Sequence, residues 1–492
     1  MSNRQELLNR LSTESWDIAV VGGGASGLGT ALDAASRGFR TVLLEQNDYA
    51  KATSSRSTKL IHGGVRYLKQ AKVAFVRESL HERGLLLKNA AGLVHPLEFI
   101  IPTFSLAERL FYGAGLKVYD LLAGKLGMQR SRILSTQAVL QRTPTIRADR
   151  LSGGVSYFDA QFDDARLALA MMQAVQSLGG VPLNYVRVDR FVKANDRISG
   201  LSATDVETGR SYDISARVVI NATGIFTDDT RQLDQPDARP MLKVSRGSHI
   251  VVDRSFLPGE TAIIIPSTDD GRVVFIIPWH GSVLIGTTDI PAPEPVLDPS
   301  PLPEEVDFLM EHATRYLARK VTVSDIRSMF CGLRPLVVED PEESTAQMSR
   351  DHVIRTSPSG LITLTGGKWT TYRKMASDTV DTAIREAGLD HRPTRTESLP
   401  LTGNEQDSPA RPQSTASVTE AFIQQAVRQE QARTVEDILS RRCRLLLLDA
   451  QAAIDLAPKV ASVLSSELQR DITWEQSQVT EFTALARTYL PG

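Results

Sequence analysis

The 492-residue chain carries 56 Lys and Arg against 58 Asp and Glu, a net charge of −2, and is 41% hydrophobic. That balance excludes a globally basic nucleic-acid binder, and the length is enough for two or three domains whose cores need no covalent staple. Two cysteines, Cys331 and Cys443, give neither a disulfide framework nor metal-ligand spacing, so a reducing compartment, no metal and buried apolar roles for both are expected.

The N-terminal stretch MSNRQELLNRLSTESWD has no apolar core of a signal peptide, and no apolar run is long enough to span a bilayer. A cytosolic or membrane-surface protein is expected. The first strong pattern is Asp17 to Gly27, DIAVVGGGASG. Ile18 to Val21 read as a doubly covered parallel strand running into Gly22-x-Gly24-x-x-Gly27, where a helix from Ala25 to Arg37 starts. Gly22 permits the tight turn, Gly24 admits a pyrophosphate to the backbone, and Gly27 lets helix and strand pack closely. Thr41 to Leu44 form the next strand, ending on Glu45, 18 residues beyond Gly27 and placed to meet an adenosine ribose. The order of these parts predicts a dinucleotide with a free 2′-hydroxyl, and leaves NAD or FAD open.

Residues 51 to 68, KATSSRSTKLIHGGVRYL, are too polar and Gly-rich for core. Ser54, Ser55, Ser57 and Thr58 offer groups that wrap a pyrophosphate or flavin, and Gly63-Gly64 allows close backbone approach. Phe75 to Asn89 reads as a helix. Between 93 and 127, LVHPLEFIIPTF precedes a segment in which Leu106, Leu110, Phe111, Leu116, Val118, Tyr119, Leu121 and Leu122 alternate with Arg109, Lys117 and Lys125. That pattern fits a helix in a membrane interface or one packed on the protein's own core.

Asp163 or Asp164 is expected to cap a helix ending at Gly179-Gly180. Strands follow near 186–192, 198–205 and 218–220, the last delivering NATG, Asn221 to Gly224, for a second backbone approach to the dinucleotide. From Val244 to Asp289 the pattern turns antiparallel, the expected substrate sheet, followed by a Pro-rich loop and a helix from Glu304 to Lys320. Ile362 to Leu364, Gly366-Gly367 and a helix from Thr370 repeat the strand, glycine, helix arrangement, with the helix N-terminus favouring negative charge. Residues 401 to 417 read as a linker before a helical cap, in which Arg441, Arg442 and Arg444 are expected on a solvated face or against anionic lipid.

The set GGGASG, ATSSRSTKLIHGGVRYL, DDARL, NATG, GSHIVV, IPW with IGTTD, GLRPL, SRDH and GGKWTTYR, covering about residues 16 to 400, resembles the FAD-dependent sn-glycerol-3-phosphate dehydrogenases that pass electrons to respiratory quinones. The resemblance implies an α/β plus α+β fold like that of D-amino-acid oxidases. Its FAD-binding domain is Rossmann-type and discontinuous (15–95, 150–240 and 325–395). An antiparallel-sheet, membrane-facing substrate domain (96–149 and 241–324), the linker (401–417) and a helical C-terminal cap (418–492) complete it. The cap looks shorter than is usual in that family, which leaves its architecture and any oligomer contact open.

The resemblance also implies non-covalent FAD, held by Gly22, Gly24, Ala25, Ser26, Gly27, Glu45, Gln46, Thr53, Ser54, Ser55, Lys59, Leu60, Gly64, Val188, Ala222, Thr223, Gly224, Gly332, Gly367, Lys368, Trp369 and Thr370. Arg66, Arg350 and Lys368, with Tyr67, match the family's phosphate clamp, and His249 and Arg334 the positions of a base and an alkoxide stabiliser, whose roles could be exchanged. By itself, a His among Ile and Val also fits a satisfied core residue. Expected partners are sn-glycerol 3-phosphate, a quinone and the inner face of the cell membrane, with a homodimer left open. An oxidase using O2, or an amine or amino-acid oxidase of the same fold, is the alternative. A carboxylate needs only one Arg and a Tyr, whereas three cations suit phosphate.

Overall fold

The structure is a computed structural model that describes residues 4–68, 72–269, 271–338, 351–401 and 415–492. The apolar runs become central strands of an eight-stranded sheet. Trp16–Val21 lies between Thr41–Leu44 and Ser211–Asn221, with Val181–Leu183 and Ile362–Gly366 outside them, all parallel. Alternate side chains serve different cores. Ile18 and Val20 pack under the helices Ala25–Ser36, Asp164–Ser177 and Tyr372–Ala387, whereas Ala19 and Val21 face the N-terminal helix Arg4–Thr13 and the hairpin Val186–Ala194/Arg197–Asp205. Burial on both faces is why the run is apolar without alternation.

The second sheet has ten strands, mostly antiparallel, and includes Leu242–Asp253, Val274–Trp279 and Ser282–Gly286 as the turn signals predict. Two stretches expected with the dinucleotide half pair here instead. Gly153–Phe162 pairs along its whole length with Val94–Thr103, and Ile326–Val337 with Leu242–Asp253. The full-length partners of both strands lie in this sheet, so the chain crosses between the halves more often than composition reveals. Pro96 and Pro102 are accommodated within Val94–Thr103.

Ser105 caps the helix Leu106–Ala123 by accepting from the Glu108 amide. This helix is divided lengthwise: Leu116 and Tyr119 are buried, while Leu106, Leu110, Phe111, Val118 and Leu121 are exposed, Leu121 to 80%. Asp163, rather than Asp164, caps Asp164–Ser177 through the Arg166 amide.

The C-terminal region consists of helices at Glu420–Glu430, Ala450–Leu468 and Ile472–Arg487 around a π-helical segment, Asp437–Arg442. Here the expectation for the arginines fails: Arg441, Arg442 and Arg444 are all buried. Arg441 and Arg442 both pair with Asp48 at 2.5 Å, and Arg444 with Asp164 at 2.8 Å. Their partners lie nearly four hundred or nearly three hundred residues away, so helical spacing alone could not separate a solvated face from a buried ionic seam.

Candidate functional site

One continuous cavity of about 1310 Å³ runs from the first glycine loop to the second sheet. At its dinucleotide end, Gly22 holds φ +110°, and a Cβ there would stand 2.6 Å from the Ala222 carbonyl oxygen. Gly27 is tighter still, its Cβ position lying 1.9 Å from the Gly22 oxygen. The Ala25 amide donates to Ser54 Oγ at 2.9 Å, which ties the helix N-terminus to the polar loop. Glu45 accepts from the Gly23 amide at 2.6 Å through one oxygen and from the Asn47 amide at 2.8 Å through the other. Burial raises its carboxyl, against the pull of those two amides. A carboxylate has about four acceptor positions, so the pinned Glu45 keeps capacity for ribose hydroxyls. The glycine cradle, the helix N-terminus and Glu45 together fit the adenosine diphosphate part of FAD.

Of the residues expected to hold FAD, Gly22, Gly24, Ala25, Ser26, Glu45, Gln46, Thr53, Ser54, Leu60, Gly64, Val188, Ala222, Thr223, Gly224, Gly332, Gly367, Lys368, Trp369 and Thr370 line this cavity. Gly27, Ser55 and Lys59 lie behind its wall. Gly366 and Gly367 adopt φ +76° and +70°, turning the strand Ile362–Gly366 into the short turn Trp369–Thr371 and the helix behind it. The Trp369 indole N–H donates to the Ser54 carbonyl at 2.9 Å, closing the two glycine turns on each other.

At the other end stand His249 and Arg334. His249 is 1% exposed, and its ring stacks on Phe330 with centroids 4.8 Å apart. Gly286 makes room for it, because a Cβ there would lie 2.1 Å from Cδ2. Nε2 is 2.9 Å from Thr58 Oγ1. Burial, then the positive charges of Lys59 and Arg334, push the imidazole well below its usual value. These surroundings favour the neutral imidazole. Arg334 reaches over Gly247, donating to the Arg246 carbonyl at 2.9 Å, Thr287 Oγ1 at 2.9 Å and the Thr288 carbonyl at 3.1 Å. These acceptors and Asp289, at 3.6 Å, fix a guanidinium on the cavity wall.

Lys368 Nζ lies 4.1 Å from the Phe75 ring centroid, 5.2 Å from that of Tyr67 and 3.4 Å from Ser79 Oγ. Tyr67 is buried against Phe75, and its ring flanks the ammonium rather than lining the cavity. The Arg66 side chain and all of Arg350 lie outside the described residues.

Sequence reasoning missed the support beneath the polar loop. Asp164 accepts from Ser57 N at 3.2 Å, Ser57 Oγ at 2.7 Å, Lys59 Nζ at 2.7 Å and Arg444 at 2.8 Å. The Ser55 carbonyl accepts from both Lys59, at 2.6 Å, and Arg444, at 3.0 Å. Lys59 is therefore structural; its burial outweighs Asp164 and lowers the ammonium to about 7. A second buried group, Asp159, accepts from Arg83 at 2.6 Å and from the Tyr119 hydroxyl at 2.9 Å, and Tyr119 in turn accepts from the Gly63 amide at 2.8 Å. The only sequence signal for this support was the DDARL stretch, quoted for its resemblance and read as a helix cap.

The family described as FAD dependent oxidoreductase matches residues 17–373, and that described as the C-terminal domain of alpha-glycerophosphate oxidase matches residues 362–478. The mitochondrial glycerol-3-phosphate dehydrogenase of Macaca fascicularis is 37% identical over 541 aligned positions, covering 97% of this chain and 74% of that protein. The Homo sapiens protein of the same name is 36% identical over 99% of this chain and 75% of its own length. Among solved structures, the glycerol-3-phosphate dehydrogenase from Bacillus halodurans complexed with FAD superposes with a TM-score of 0.80 at 27% identity, covering 99% of this chain and 98% of that one. The FAD-bound L-alpha-glycerophosphate oxidase of Mycoplasma pneumoniae, at 18% identity and TM-score 0.59 over 79% of this chain and 98% of that one, shares the fold. With its glycine cradle, its two sheets and near full-length likeness to these relatives, the chain belongs to the glycerol-3-phosphate dehydrogenase family of FAD-dependent oxidoreductases.

Proposed function

We propose that this chain oxidises sn-glycerol 3-phosphate to dihydroxyacetone phosphate and passes the electrons to a membrane quinone. The observation that carries the reading is the continuity of one cavity from the Gly22 cradle to a wall bearing His249, Arg334 and Lys368. FAD, when bound, supplies the two-electron acceptor for the hydride leaving C2. His249, neutral because two cations and burial hold its pKa down, receives the hydroxyl proton. Arg334, already anchored by backbone and threonine oxygens, offers fixed positive charge to the developing alkoxide without having to reorganise. Lys368 serves the phosphate with Arg66 and Arg350; its aromatic neighbours hold the ammonium in place without neutralising it.

The acceptor reading draws on a different part of the cavity. Its outer lobe is lined by Phe99, Ile101, Phe111, Val118, Ile264 and Phe275, and it meets the exposed apolar face of Leu106–Ala123. No helix among the described residues is long and apolar enough to cross a membrane. A helix with Leu106, Leu110, Phe111 and Leu121 outward and Arg109, Lys117 and Lys125 alongside suits attachment to the surface of an anionic bilayer, where a quinone could enter sideways.

Anaerobic mixing of the purified yellow protein with sn-glycerol 3-phosphate should bleach the oxidised flavin band within the dead time of manual mixing, and a quinone analogue should restore it. Bleaching by D-amino acids or sarcosine instead would keep the fold and discard this function. Leu121→Glu with Leu110→Glu should abolish flotation with anionic liposomes while leaving flavin bleaching intact; unchanged flotation refutes the membrane face.

A further inference from the structure

If His249 is the base, its basic nitrogen must be unprotonated and within reach of the substrate. The ring cannot turn, being held between Phe330 and the space left by Gly286. Its polar neighbours therefore choose the tautomer. Nδ1 is buried without a hydrogen-bond partner among the described residues and only Nε2 has a polar contact toward the cavity, so a base working into the cavity holds its proton on Nδ1. Nε2 then carries the lone pair, and the Thr58 hydroxyl at 2.9 Å must be its donor.

That hydroxyl occupies the one position from which Nε2 can accept. His249 is 1% exposed, whereas Thr58 is only half-buried and also lines the cavity. The residues on either side of Thr58 are pinned from below, Ser57 and Lys59 both to Asp164, which fixes the backbone that carries the hydroxyl. Both residues line the cavity, and Thr58, the more exposed of the two, covers the one ring nitrogen that has a polar contact.

We propose that Thr58 is a proton relay between the substrate and His249. The proposal rests on the reading of His249 as the base. As the hydride leaves C2 for FAD, the substrate hydroxyl proton moves to Thr58 Oγ1 while the proton of Thr58 moves to His249 Nε2. One O–H bond breaks and one forms at Thr58, which ends unchanged. The imidazole ends as the cation, and the carbon becomes the carbonyl of dihydroxyacetone phosphate. The charged groups facing the ring are Lys59 from the loop that carries Thr58 and Arg334 from Ile326–Val337; both are cations that oppose the imidazolium, so the ring holds the proton only briefly before releasing it.

The test compares Thr58→Val, Thr58→Ser and His249→Ala as FAD-loaded proteins, using anaerobic flavin reduction by glycerol 3-phosphate. Thr58→Val removes the hydroxyl at nearly constant volume and should slow reduction by about 10²–10⁴-fold with KM changed less than about threefold, the range for lost acid–base assistance. Thr58→Ser should recover most of the rate. The wild type should show a curved dependence on the deuterium fraction of the solvent, as two protons in flight require, and Thr58→Val a linear one. Flavin content and melting temperature of each variant report folding independently of rate. If Thr58→Val stays within threefold of wild type while His249→Ala is slow, the relay is wrong and the base survives. If His249→Ala is also unimpaired, the base reading falls and the relay with it.

Discussion

Arg442→Ala tests whether the C-terminal region is locked to the rest of the chain by buried charge. The guanidinium is fully buried, donating to Asp48 at 2.5 and 2.9 Å and to the Glu430 carbonyl at 2.6 Å. Burial alone would raise the Asp48 carboxyl, yet Arg442 and Arg441 hold it well below the usual carboxylate range. Breaking a buried pair by removing one partner costs about 3–5 kcal/mol, and because Asp48 keeps Arg441 the lower end, about 3 kcal/mol, applies. If the 492 residues melt together, an unfolding entropy of about 2.1 cal/mol/K per residue gives about 1 kcal/mol/K and a Tm lower by about 3 °C. If residues 415–492 melt alone, the same cost acts on about 0.16 kcal/mol/K and lowers that transition by about 18 °C. Calorimetry of the FAD-loaded protein at fixed scan rate, read beside flavin fluorescence, separates the two. A shift below 1 °C in every transition would refute the claim that these charges are desolvated.

Lys368→Met keeps the apolar stem between Phe75 and Tyr67 and deletes only the ammonium; a lost charge-assisted bond of about 1.5–3 kcal/mol should raise the KM for glycerol 3-phosphate about 10–150-fold without loss of flavin. Unphosphorylated glycerol should remain a very poor substrate for both proteins, and a variant KM equal to wild type would remove Lys368 from the clamp. His249 must be neutral to accept a proton, and its pKa is displaced downward, so kcat/KM should stay flat as pH falls through the ordinary histidine range and decline only below it; a decline centred at 6.5 would contradict the burial argument. Glu436 is held at about 2 by Arg441 and Lys51 against its own burial, so its stabilisation is complete above the unfolded value of about 4.5 and disappears as pH falls toward 2. Glu436→Gln should therefore flatten the acid limb of stability by about 2 kcal/mol between pH 6 and 3, measured by urea unfolding.

Much of the fold could be read from local pattern because local pattern is what it rests on. The glycines at 22, 24 and 27 announce themselves by spacing, and the strand before them is apolar because both its faces are covered. The strand Gly153–Phe162 carries no mark of which sheet it joins; only its ten-residue register with Val94–Thr103 decides that. Arg441 and Arg442 looked like a solvated face because a helix repeat is blind to Asp48, which precedes them by nearly four hundred residues. His249 and Lys368 were found by family likeness, but Thr58 was read only as one of several hydroxyls, since nothing in TSSRSTK says which one meets an imidazole.

The stretch from Thr53 to Leu68 explains why such assignments cluster. Ser54 meets the first helix N-terminus, Thr58 meets His249, Lys59 and Ser57 meet Asp164, and Gly64 and Tyr67 meet Lys368. One loop therefore touches the dinucleotide cradle, His249 and Lys368 in succession. A loop with that many duties cannot be held by its own backbone hydrogen bonds, which are few in so polar and Gly-rich a segment. Asp164 and Arg444 supply the missing rigidity from outside the cavity, the first from the helix behind the loop and the second from the C-terminal region. This ties the C-terminal region to the loop that lines the cavity, although among the described residues none of its side chains lines the cavity itself. It also places the cost of desolvating Lys59, Asp164 and Arg444 where it fixes the position of Thr58 beside the imidazole.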